Sequence, residues 1–429
     1  MINKTRLFTP GPTPLLPASQ FAMAAADIHH RTPEFRAMFL KVLKQLQGFI
    51  GTSNDVVVLT CSGTGAMEAA VSNLTNPGET VLVISAGKFG ERWAALAKTY
   101  GLKVRVASAP YGQTVPMEAV RAQFSPEVRA VFVQATETST GVRHCIPALA
   151  DLVRGSDAML VVDAITGLGT TDLDAGPVDV IVGGSQKALM IPPGLSFLAV
   201  SERAWKRMET TTQPRYYFHL PKERKSQAKG ESAYTPSVAL IAGLGAALDY
   251  LASLANGDVA EGRRLLVDNA ERCAAMTRAG VQALGLKLFA PAAPSAAATA
   301  VLAPQGISST DIVKKFKADF GGILSDGQGD EMKGKIFRVA HVGFLDYIDT
   351  IGIVGGLEQV LERMRPGKFP LGAALTAAQR VDLEWRAGKR ESRCACGRPA
   401  SECIAGAAQR AAIDANAVPV GEPTGGAKR

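Results

Sequence analysis

Seven short apolar runs, most of them rich in β-branched residues, mark the first half of the chain: 56–60, 80–85, 104–107, 130–134, 159–163, 178–183 and 196–200. Within each run the apolar residues are largely continuous, and helical stretches separate one run from the next. A strand covered on one face alternates apolar and polar positions, whereas a continuous run needs cover on both faces. Helices between successive strands supply that cover and, by crossing over, make neighbouring strands parallel. The pattern predicts an α/β fold with a mostly parallel central sheet. Upstream, Phe35, Met38, Phe39, Val42, Leu43 and Leu46 recur at three- and four-residue spacing, which predicts a helix over 33–50. The opening TPGPTP (9–14) suits neither helix nor central strand.

After residue 201 the pattern changes. A polar, Lys- and Arg-rich stretch, 213–230, reads as an exposed loop, and helices follow over 236–254 and 257–280. A smaller α+β unit is expected over 286–365, with strands at 299–303 and 335–340. Past Gly367, Gly, Ala, Pro and Arg dominate and apolar periodicity fades, as in a partly disordered tail. The expected divisions are an N-terminal segment 1–20, a large domain 21–265, a small C-terminal domain 266–366 and a Cys-containing tail 367–429. With 47% hydrophobic and 20% charged residues over 429, the chain is globular in composition and long enough for one large core and a smaller one.

The net charge of +8 is spread along the chain, which suits an enzyme attracting carboxylate substrates better than a nucleic-acid or membrane binder. Cys61, Cys145 and Cys273 are isolated, so no secreted disulfide framework is encoded and a cytoplasmic, soluble protein is expected. The N-terminus has no apolar run of signal-peptide type. The longest apolar stretch, 238–255, contains Asp249 and reads as a buried helix.

Ligands of open α/β sheets bind beyond the carboxyl ends of the strands. The run 159–163 ends in Asp163, which by itself reads as a cap or a solvated loop acid. The run 178–183 leads into Gly184-Ser185-Gln186-Lys187 and then an apolar segment ending at Gly194. A lone lysine after a strand is usually a surface group. Here two glycines allow close backbone approach, and apolar neighbours desolvate the amine, which makes it a better nucleophile toward aldehydes. The run 56–60 leads into CSGTGAMEAA (61–70), a small-residue turn opening a helix and therefore a phosphate cradle. It lacks the third glycine of a dinucleotide fingerprint. Each signal is weak alone. Together they supply a phosphate cradle, an acid for a ring nitrogen and a Schiff-base lysine, the requirements of pyridoxal phosphate (PLP).

Eight motifs then fall in order: TPGPTP (9–14), HHRTPEF (29–35), SGTGAMEAA (62–70), GKFGER (87–92), ETSTGV (137–142), VVDAITGLG (161–169), GSQKAL (184–189) with PPG (192–194), and FRVAHVG (337–343). Up to residue 365 the chain resembles the alanine–glyoxylate and serine–glyoxylate group of class V aminotransferases, within PLP-dependent fold type I. The resemblance implies transamination between a small amino acid (Ala or Ser) and a small 2-oxo acid (glyoxylate or pyruvate). It also implies a homodimer with the active site shared across the interface. By position, Lys187 is similar to the cofactor-binding lysine, Asp163 to the ring-nitrogen acid, Gln186 to the residue beside the phosphate and Phe89 to the stacking aromatic, which is Trp in some relatives. Ser139 matches the residue near the ring hydroxyl, and Ser62, Gly63 and Thr64 match the phosphate loop. Thr235 resembles the threonine that reaches the phosphate from the neighbouring subunit. Relatives often carry Tyr three positions earlier, where this chain has Ser232. Arg338 resembles the arginine that clamps the substrate carboxylate, the other reading being a surface strand-edge arginine. Gly11 either lets the N-terminal segment approach the substrate or serves a turn.

His29, His30 and Arg31 read equally as a mouth or a capping cluster, and His341 reads as a packed histidine. A cysteine desulfurase or lyase would stack a His and carry a mobile Cys, so Phe89 argues against it. Phosphonate and ureidoglycine donors stay open, as does, from another class, a nucleotide or nucleic-acid binder. Cys394, Cys396 and Cys403 lack a fourth zinc ligand nearby, so free thiols and no metal are expected.

Overall fold

A computed structural model describes residues 3–389. The seven runs become seven strands: β1 (Asp55–Leu59), β2 (Thr80–Ser85), β3 (Lys103–Ser108), β4 (Val128–Gln134), β5 (Met159–Asp163), β6 (Val180–Gly184) and β7 (Ser196–Val200). They form one sheet in the order β1-β7-β6-β5-β4-β2-β3, with β7 antiparallel to both neighbours and every other pairing parallel. Successive side chains point to opposite faces. Leu82 and Ile84 of β2 therefore join Phe35, Phe39 and Leu46 in one core, while Val81 and Val83 join Met67, Leu74 and Trp93 in another. Two-sided burial is the physical cause of the continuous runs.

The helix Pro33–Ile50 has the predicted bounds. Thr32 caps it by accepting from the Phe35 N–H, Pro33 opens it, and Gly51 ends it in the left-handed region. The long helix Val259–Ala283 connects two cores, with Val259 in that of the sheet and Met276 and Val281 in a second one. That second core lies under a three-stranded antiparallel sheet with Ile336–Ala340 at its centre, between Ala298–Leu302 and Ser325–Asp326. The chain start is stitched to this unit, Arg6–Leu7 pairing in parallel with Gly322–Ile323.

Two stretches differ from the sequence reading. Residues 213–230 are not simply an exposed loop: they hold a helix, Leu220–Gln227, with Leu220, Glu223 and Gln227 buried. The buried polar groups are paired. The Gln227 amide accepts from Val58 N–H (2.9 Å) and donates to Val58 C=O (2.7 Å), closing the open edge of β1. Past Gly367, where periodicity fades, a helix Ala373–Arg386 packs on Val259–Ala283 and buries Ala374 and Ala378. Glu358 accepts from the N–H groups of Gly372, Ala374 and Leu375 at its start. The tail thus begins later than residue 367, and Cys394, Cys396 and Cys403 lie outside the described residues. No helix among the described residues is long and apolar enough to cross a membrane.

Candidate active site

Because β1, β2, β4, β5 and β6 run the same way, the residues that follow them gather along one rim of the sheet. Lys187 follows β6 and is 7% exposed, its amine donating to the Pro10 carbonyl. Burial lowers its proton affinity to about 8; the charge of Asp163 opposes the shift and that of Arg338 adds to it. Asp163 ends β5 at 6% exposure. Burial pushes its carboxyl up to about 6, held back by the Ile165 N–H at 3.0 Å and by the charges of Lys187 and Arg92, while Glu137 pushes the same way as burial. The other Asp163 oxygen has no donor among the described residues.

The N-terminal segment lies across the lysine. Thr13 N–H donates to the Gln186 carbonyl (3.2 Å) and its hydroxyl to the Lys187 carbonyl (3.0 Å). Gly11, at φ +142, sits so close that a Cβ would collide with the Lys187 amine.

Ser62, which is exposed, precedes the helix Gly63–Leu74 and makes no side-chain cap; Gly65 N–H donates to the Ser62 carbonyl (2.9 Å), while the N–H groups of Gly63 and Thr64 have no partner among the described residues. A Cβ at Gly63 would strike Ile165. Arg92 donates to the Thr64 hydroxyl at 3.1 Å, and its guanidinium lies 4.8 Å from the Phe89 ring centre. The Gln186 side-chain oxygen is buried with no partner.

Phe89 sits in the first turn of the helix Lys88–Thr99. The fully buried Glu137 accepts there from Phe89 N–H (3.1 Å) and Gly90 N–H (3.0 Å), and also from the N–H (3.2 Å) and hydroxyl (2.5 Å) of Ser139. Arg338, on Ile336–Ala340 and 8% exposed, donates to the carbonyls of Thr138 (2.9 Å) and Asp326 (3.1 Å), and its Nε is buried without a partner. It forms no ion pair among the described residues, and burial lowers its proton affinity to about 10. Its buried position removes the reading as a surface strand-edge arginine.

Residues 18–317 match the family described as Aminotransferase class-V. The chain belongs to the class V aminotransferases. It is 38% identical to the soluble hydrogenase 42 kDa subunit of Anabaena cylindrica, over 89% of this chain and 99% of that one. It is 34% identical to a serine–glyoxylate aminotransferase of Hyphomicrobium methylovorum, over 83% of this chain and 89% of that one. Among solved structures it is similar to an aspartate aminotransferase of subgroup IV from Thermus thermophilus, with 35% identity, TM-score 0.76, and coverage of 83% of this chain and 99% of that one.

Members of the family are PLP enzymes, and the residues present in this class V aminotransferase fit that cofactor. The uncapped turn at Ser62, Gly63 and Thr64 offers free donors to a phosphate. The orphaned Gln186 Oε1 accepts and so calls for a donor, leaving the NH2 end of that amide as the group to meet a phosphate, and the open oxygen of Asp163 suits a cation. Lys187 supplies a desolvated amine.

Lys187, Asp163, Gln186, Ser62, Gly63, Thr64, Phe89, Ser139, Gly11 and Arg338 all lie along this rim or on the segments that cover it. Thr235 does not join them within one protomer: it is exposed, on a loop held by Ser232 and Ala233 donating to Glu223 (3.2 and 3.1 Å). Ser232, where relatives have Tyr, is thus engaged inside its own chain. His29 and His30 stack at 4.5 Å, and Arg31 and Arg36 pair with Glu231 of the same loop (3.9 and 2.5 Å). His341 is fully packed against Thr299 (3.0 Å), and burial drives its proton affinity down to about 3. The sequence reading gave no role to Glu137, Arg92, Thr13 or Ile165. All four fall inside the quoted motifs.

Proposed function

We propose that the protein moves an amino group between a small amino acid, Ala or Ser, and a small 2-oxo acid, glyoxylate or pyruvate. The observation that carries the reading is a buried, low-affinity amine at Lys187 between an acid, Asp163, and an unpaired buried guanidinium, Arg338. Bound PLP supplies the sink for the electrons left when the substrate α-hydrogen departs as a proton. Lys187 would form the covalent link to it, and Ser62, Gly63, Thr64 and Gln186 would hold its phosphate. Phe89 would cover the ring, and Ser139 would serve its hydroxyl.

The protein groups have separate tasks. Asp163, ionised at neutral pH, would keep a proton on the ring nitrogen by charge pairing. Lys187 is poised near neutrality, so Nζ can take the α-proton and later give it back. Arg338 offers a planar fork to the substrate carboxylate, and its buried setting strengthens that bond. The N-terminal segment over Lys187, with Gly11 at the contact, leaves little room above the amine and favours short side chains.

The exposed Thr235 loop supports a homodimer in which Thr235 reaches the partner's phosphate site. Cys61, Cys145 and Cys273 form no disulfide among the described residues, which suits a reducing cytoplasm. A half-reaction screen tests the substrate assignment: the cofactor-loaded protein is mixed with single amino acids and its visible band is followed. Alanine or serine should bleach the band fastest. A colourless protein, or one bleached only by other amino acids, overturns the assignment.

A further inference from the structure

Two helices begin at the rim, Gly63–Leu74 after β1 and Lys88–Thr99 after β2, and their N-termini are in opposite states. The first is uncapped. In the second, all three leading N–H groups are taken: Lys88 N–H donates to the Ser139 hydroxyl (3.0 Å), and Phe89 and Gly90 donate to the Glu137 carboxylate. A helix N-terminus attracts an anion through its free N–H groups and its dipole. Here a carboxylate of the same chain fills that place from below.

We infer that Glu137 is a positioning residue, which fixes the stacking ring of Phe89 and the hydroxyl of Ser139 in one rigid unit and leaves the Gly63 helix as the only open anion cradle of the two. The inference rests on the reading of the site as a PLP site. The carboxylate is fully buried, which pushes its pKa up, and meets four donors, two on each oxygen, which oppose that shift and suit an acceptor-only group. Its two bonded neighbours cannot shift independently, because Ser139 Oγ receives Lys88 N–H while giving its own hydrogen to Glu137. Space is closed as well: a Cβ at Gly87 would strike Ser139 Oγ and the Glu137 carboxyl carbon. The next residue, Thr138, gives its carbonyl to Arg338. Three consecutive residues therefore join the stacking helix, the ring-hydroxyl group and the carboxylate clamp. The Thr138 carbonyl accepts from Arg338 whatever side chain stands at position 137.

The test uses cofactor-loaded protein, reading visible circular dichroism of the bound cofactor, the cofactor dissociation constant and the split between kcat and KM. A hydrogen bond to a charged group in a dry site is worth enough that its loss costs about tenfold in a binding equilibrium. Glu137→Ala should weaken cofactor binding by at least about tenfold and diminish the dichroic band, lowering kcat more than it raises KM. Glu137→Gln keeps one acceptor for Phe89 and Gly90 but turns its NH2 group toward Ser139, so it should retain binding better than Glu137→Ala while the dichroic band still changes. If Glu137→Ala lowers only the melting temperature and leaves the dichroism and the dissociation constant unchanged, Glu137 is a structural cap and the inference is wrong. Should Glu137→Ala not fold, Glu137→Gln decides by the same two readouts. A wild-type protein that binds no PLP would instead remove the site reading itself, a result distinct from either.

Discussion

Asp163 and Lys187 end up at neighbouring strand ends, where burial drives each toward its neutral form while the charge of the other pulls it back. On the proposed function, cofactor and substrate would draw on this unfavourable pair.

The stability consequence has a definite sign. Asp163 has a folded value raised from 3.8 to about 6, so its ionised form costs stability above that range and the cost vanishes as pH falls below 3.8. Lys187 has a folded value lowered from 10.5 to about 8, so its charged form costs stability below that range and the cost vanishes above 10.5. The cofactor-free protein therefore carries both costs between about pH 6 and 8. Asp163→Asn should raise the stability of cofactor-free protein at pH 7 by on the order of 1–3 kcal/mol, read as a higher melting temperature, and abolish turnover. No gain in stability would show that the carboxyl is better satisfied than its surroundings imply.

Lys187→Ala should remove turnover and the covalent link, so borohydride treatment leaves no pyridoxyl mass on the peptide containing position 187. Full activity in this variant is incompatible with the proposed chemistry.

Arg338→Lys keeps a charge but loses the fork and one of the carbonyl bonds. KM for the amino acid should rise about 10- to 100-fold with a smaller change in kcat, the loss of one charged bidentate contact. Steady-state kinetics at saturating cofactor would read this; an unchanged KM would place the substrate carboxylate elsewhere.

Gly11→Ala adds a methyl group against the Lys187 amine at a backbone angle that disfavours side chains. It should lower stability by about 1 kcal/mol and kcat by about tenfold or more. Calorimetry and single-turnover rates on the loaded protein check the two effects separately.

Gln227→Leu strips Val58 of both its edge partners while sparing every group at the rim. A loss of about 1–3 kcal/mol in stability is expected, with kcat per folded molecule unchanged. A fall in kcat without a fall in stability would mean that the edge closure reaches the site.

The large sheet could be read from the sequence because burial on both faces leaves continuous runs, and the chemistry could be read because it stands where those runs stop. The helix Leu220–Gln227 escaped because the residues it buries include Glu223 and Gln227, whose burial depends on partners far away in the chain. Ala373–Arg386 escaped because the residues it buries are two small alanines, Ala374 and Ala378, and a charged one, Asp382, in an Ala-rich segment. Glu137 stood in plain view within a quoted motif. Nothing local distinguishes a carboxylate that accepts from four internal donors from one in water.

The first residues of the chain touch both halves of the molecule. Arg6 and Leu7 are paired into the smaller unit, Thr13 is fastened to the backbone of Gln186 and Lys187, and Pro10 and Gly11 span the gap over the amine. A rotation of the smaller unit would pull on this strap like a drawstring and shift the roof of the reaction chamber. Opening for product exit and release of the lysine would then be one mechanical event.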